Sequence, residues 1–151
     1  MKSYKRIGRI LLCLSLVLLL LTGCGGVAVG KSPVDDLAIN GYDTVAYFRD
    51  GRAVKGNESF TFRWHDMTWY FSSGENRALF AAGPEKYAPQ YDGYCAWAMT
   101  EARKANTDPE VWKIVDGKLY LNCSLAAYEK WSREIPGNIK KADENWLKYK
   151  K

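Results

Sequence analysis

Ten residues, Trp112 to Leu121, read WKIVDGKLYL, and they constrain the fold more than any other stretch. Asp116 and Gly117 are residue types that accept positive φ at both central positions of a two-residue turn, so the flanking runs are expected to fold back as an antiparallel hairpin. A turn that short also fixes the register, and with it which side chains share a face. Residues Ser59–Trp64 (SFTFRW) and Thr68–Phe71 (TWYF) are rich in aromatic and β-branched types, and the HDM between them is a short connection. They predict a second hairpin. A lone two-stranded ribbon is marginal in water, so each hairpin requires a cover.

Helices are expected to supply that cover. Asp43 can cap a short helical turn through TVAYF, which Asp50-Gly51 ends. Ser72-Ser73-Gly74-Glu75 reads as a capping box with Ser72 as the cap and Glu75 reaching back to it. A helix through NRALFAA should then turn Leu79 and Phe80 inward and stop at Gly83-Pro84. Two further helices close the chain. One is capped by Ser124 and aligns Leu125, Tyr128 and Ile135; the other aligns Ile139, Ala142, Trp146 and Tyr149. The expected class is α+β: a small single domain with two short antiparallel hairpins packed against several helices. No low-complexity stretch or obvious internal repeat is visible in its roughly 115 residues, a length that supports one core.

The N-terminus reads as something other than fold. Lys2, Lys5, Arg6 and Arg9 precede the apolar run ILLCLSLVLLLL, about 12 residues long, as in a signal-peptide core. A spanning helix needs roughly 18 or more apolar residues. LTGC, Leu21 to Cys24, resembles the bacterial lipobox, in which cleavage falls before a cysteine that carries the lipid. Residues 1–23 are therefore expected to be a lipoprotein signal peptide. Residues 24–34 would be the lipidated Cys24 with a flexible tether, GGVAVGKSPV, and 35–151 the domain. Several acyl chains on Cys24 would make the membrane its partner, since one chain alone holds marginally. Gly25 and Gly26, with no acid after Cys24, favour the outer membrane where a bacterium has two. The expected location is the periplasmic face of the cell envelope.

Removing that segment changes the charge. Four of the 22 basic residues leave with it, so 18 remain against 17 acidic ones, a net charge of +1. No basic excess is left to form a phosphate-binding footprint, so nucleic acid is not an expected partner. Asp35, Asp36 and Glu101 read as solvated faces or caps. The motifs HExxH, GxSxG, GxGxxG, CxxC and the Walker loop are missing, and one histidine, His65, makes a serine triad improbable. Any catalysis would have to be thiol chemistry.

GYDTVAYF, the stretch from Ala53 to Met99, and IVDGKLYLN followed by EIPGNIKKADENW together resemble the family of bacterial envelope proteins called YHS domain-containing (seleno)proteins. WYFSS…RALFAAGPEKYAPQY is the most specific part, being similar to the frame of the YHS and TRASH modules associated with copper and other heavy metals. Ala46 and Ser72 stand where such modules carry cysteines, so a cysteine-cluster metal site of that type is not expected. The resemblance places weight on QYDGYCAWAM, Gln90 to Met99, because it aligns the selenocysteine of some relatives with Cys95.

Cys95 then has several possible jobs. At the start of a helical CAWAMTEA segment, partial positive charge would lower its pKa. Met99 would lie on the same face, and a thiolate, a thioether and the His65 imidazole suit Cu(I) or another soft metal. A catalytic Cys95 would instead be a redox thiol, oxidised to a sulfenic acid and resolved by Cys123 or an outside thiol. A Cys95–Cys123 disulfide would contribute about 3–4 kcal/mol by chain entropy. The remaining alternative is an envelope scaffold without chemistry.

Overall fold

Turn chemistry sets both hairpins in the computed structural model, which describes residues 36–149. Strands β1 (Asn57–Trp64) and β2 (Met67–Phe71) pair antiparallel, as do β3 (Asp108–Val115) and β4 (Lys118–Asn122). Asp116 and Gly117 take φ of 49° and 72°, as the Asp-Gly signal requires. The first turn is tighter than HDM implied. Met67 pairs with Trp64, and only His65 (φ 49°) and Asp66 (φ 60°) make the turn.

Six helices surround the two separate sheets among the described residues, giving the expected α+β domain. They are α1 (Thr44–Arg49), α2 (Gly74–Ala82), α3 (Pro84–Tyr87), α4 (Ala96–Thr100), α5 (Leu125–Ser132) and α6 (Ile135–Trp146). None of them is long and apolar enough to cross a membrane. Ser73 rather than Ser72 caps α2, accepting from Asn76 N at 3.1 Å, because the Ser72 hydroxyl is drawn to the Asp43 carboxylate at 2.6 Å. The stripe expected along one helix from Leu125 through Tyr128 to Ile135 is corrected: Leu125 is 69% exposed and Ile135 already belongs to α6, although Tyr128 and Ile135 pack against the same cluster. The α6 stripe does form around buried Ala142, with Ile139, Trp146 and Tyr149 against the same cluster.

Strand β4 sits where the core divides. Leu119 and Leu121 join a cluster with Val45, Tyr47, Trp69, Phe71 and Phe80, while Tyr120 faces one with Tyr91, Met99, Trp131 and Ala142. Alternation along a strand puts these side chains on opposite faces, so β4 is buried on both.

The order of elements occurs twice. A 3-10 turn (Ala38–Gly41), α1, β1, β2, α2 and α3 are followed by a 3-10 turn (Gln90–Gly93), α4, β3, β4, α5 and α6. Details recur at 51 or 52 residues' distance. Ile39, Asn40 and Gly41 have positive φ, and so do Tyr91, Asp92 and Gly93. Register breaks lie between Asn57 and Thr61 and between Asp108 and Trp112. Ser73 caps α2 and Ser124 caps α5, while a proline lies in the first turn of α3 and of α6. The sequence shows no obvious repeat because the two copies share shape-setting residues and few core side chains.

Candidate functional site

The duplication explains what surrounds Cys95. In the first half, Asp43 N donates to Val54 O (2.8 Å); in the second, Cys95 N donates to Ala105 O (3.0 Å). Both residues leave a positive-φ turn through a Gly-Tyr pair and become the cap of a short helix, Asp43 of α1 and Cys95 of α4. Both are fully buried.

Asp43 brings two oxygens to this place. Oδ1 accepts from Val45 N (2.9 Å) and Ala46 N (3.3 Å). Oδ2 accepts from Ser72 N (2.8 Å), Ser72 Oγ (2.6 Å) and Asn76 Nδ2 (2.7 Å). A buried carboxylate needs such a set of donors to be tolerated.

Cys95 brings one sulfur, and the work is divided. Sγ accepts from Ala98 N at 3.5 Å and from Cys123 N at 3.2 Å, the counterparts of Ala46 N and Ser72 N. The counterpart of Val45 N is Trp97 N, and it donates to Asn122 Oδ1 at 3.1 Å. Asn122 stands where the first half has Phe71, so a core ring is exchanged for a buried amide that supplies the second acceptor. The thiol closes the cluster by donating to the same Asn122 oxygen at 3.8 Å. Asn122 Nδ2 has no hydrogen-bond partner among the described residues.

Burial pushes the Cys95 thiol pKa up, while the N–H groups of Ala98, Cys123 and Trp97 and the charge of Arg103 pull the other way and lose. The lowered pKa expected from a helix N-terminus is therefore corrected to a raised one. α4 has only five residues, so its dipole is small against the cost of desolvating a thiolate. The Cys95–Cys123 disulfide is not formed: Cys95 is a free thiol, turned to cap α4 and to receive the Cys123 N–H.

The soft-metal residues lie in different surroundings. Met99 packs with Tyr91, Tyr120 and Trp131, whereas Cys95 packs with Ala98 and Ala127. Four residues of spacing did not align them, because Cys95 precedes the helix in non-helical geometry, with ψ at 119°. His65 is in the β1–β2 turn, stacked on Trp64 at 3.8 Å, beside the first core cluster. Among the described residues no group of three His, Cys, Asp or Glu could hold a metal ion. Asp36 pairs with Arg63, and Glu101 with Arg103 at 3.0 Å, as solvated acids do. Cys24, the signal segment and the tether lie outside the described residues.

Asn122 and the anchoring role of Asp43 were missed in the sequence. GYD at 41–43 and GYC at 93–95 carried the signal that joins them. No family model, no curated protein and no solved structure matches the chain.

Proposed function

We propose that this chain is a lipid-anchored, YHS-like domain of the bacterial envelope that works as a binding or scaffold module rather than through thiol chemistry. Cys24 would carry the anchor, and the outer membrane is its favoured site. The observation that carries the non-catalytic part is the setting of Cys95. Its sulfur is fully buried and occupied as a helix cap, in the place that an inert carboxylate takes in the first half. A reactive thiol is exposed and has a depressed pKa, and this one has neither property.

A thiol-reactive maleimide followed by peptide mapping tests this reading. Cys95 is expected to label slowly in the native protein and at the rate of a free thiol in denaturant. Fast native labelling would restore the redox reading. Near-stoichiometric Cu(I) binding that Cys95→Ser abolishes would restore the soft-metal one.

A further inference from the structure

The second half carries a cleft beside its 3-10 turn. It measures about 310 Å³ and is lined by Gln90, Tyr91, Lys118, Asp143, Trp146 and Leu147. That volume is at the small end of ligand sites, which run from about 300 to 1,000 Å³. At the equivalent positions of the first half, Ile39 stands for Tyr91 and Met67 for Lys118, so the polar groups are an addition to the shared frame.

One of those polar groups is held in place. Tyr91, in a left-handed conformation at φ 59°, donates its hydroxyl to Asp143 Oδ1 at 2.9 Å. This fixes the carboxylate and leaves Oδ2 without a partner among the described residues. Lys118 opens β4 on another side of the cleft, and it forms no ion pair with Asp143 or with any other described residue. Two opposite charges that share a small cleft without neutralising each other match a ligand that brings both signs.

The apolar wall is also fixed. Lys104 Nζ lies 4.8 Å from the Tyr94 ring, 4.8 Å from Tyr149 and 5.3 Å from Trp146. A cation among three rings holds their orientation, Trp146 included. Leu147 is 67% exposed at the rim, with apolar surface still to cover.

We propose that the cleft between the Gln90–Gly93 turn, the start of β4 and the end of α6 binds a small apolar zwitterion of the α-amino-acid class. Asp143 takes the ammonium, Lys118 takes the carboxylate, and Trp146 with Leu147 covers the side chain. Gln90 supplies an amide at the edge. The inference goes beyond the envelope reading and stands without the lipid anchor.

Calorimetric titration of the full chain with leucine, leucinamide and N-acetylleucine tests it. Leucine is expected to bind with a Kd below about 10 mM. Each analogue loses one charge, and with it about ten- to a hundredfold in affinity, as charge-assisted hydrogen bonds do. Asp143→Asn keeps an acceptor for Tyr91 and removes the charge. It should weaken leucine about tenfold or more and leave N-acetylleucine unchanged. Lys118→Met, at an exposed strand end, should weaken leucine and leave leucinamide unchanged. No heat with leucine, equal affinity for the three compounds, or variants that bind leucine like the parent would each overturn the proposal.

Discussion

One sulfur against two oxygens is the difference on which residue 95 turns. A carboxylate can cap a helix with one oxygen and hold a neighbouring corner with the other, as Asp43 does. A thiol has one weak acceptor atom, so Asn122 takes over the Trp97 N–H. The burial of Cys95 makes its protonation a stability matter. Its pKa is raised in the folded state, so the unfolded chain gives up the proton first as pH rises. The stability Cys95 contributes is fully present below the unfolded value, close to 9.0, and is lost as pH climbs through the folded one. Urea unfolding between about pH 8 and 10 should therefore show a decline that is steeper in the parent than in Cys95→Ser, which has no thiol at that buried position. Equal slopes would remove the buried-thiol account. This chemistry was half legible. CAWAM announced a cysteine at a helix start, but depth of burial is a tertiary property, and it reversed the sign expected from the helix end.

Elements were legible where a local rule decided them. Asp116-Gly117, Asp43 and Ser124 each performed the turn or cap their types imply. The failures came where a distant partner competed. Ser72 lost its capping role to a carboxylate 29 residues earlier in the chain. The two 3-10 turns belong to the same lesson. Gly93 has a φ of 81°, and a Cβ built there would lie 2.9 Å from Ile39 Cγ2, so the second turn rests directly on the first. Gly93→Ala combines left-handed strain with that close approach. It should lower unfolding free energy by about 1–3 kcal/mol, readable as a shifted urea midpoint with an unchanged slope. A midpoint within error of the parent would mean that the turns part easily.

At the scale of the molecule, the repeated element order does not make two independent units. Leu119 and Leu121, from the second half, complete the apolar cluster of the first, and Tyr120 between them faces the other way. A fragment of residues 36–88 should accordingly show poor amide dispersion by NMR and no cooperative urea transition, although it holds a full hairpin and three helices. A dispersed, cooperatively unfolding fragment would contradict a shared core. Composition and periodicity predicted one domain and the α+β class. They could not reveal the duplication, because the halves keep positive-φ turns, caps and bulges in step while exchanging Phe71 for Asn122 and Asp43 for Cys95.

The doubly buried strand has a consequence in time. A chain that emerges from its N-terminus can form its first hairpin early, but Leu121 arrives about 50 residues after Phe71, which it helps to cover. Until then the aromatic cluster has an open side. Long-range closure of this kind is slow and leaves apolar surface exposed while it waits. The polypeptide therefore keeps apolar surface open, and needs protection from its neighbours, until Leu121 has emerged.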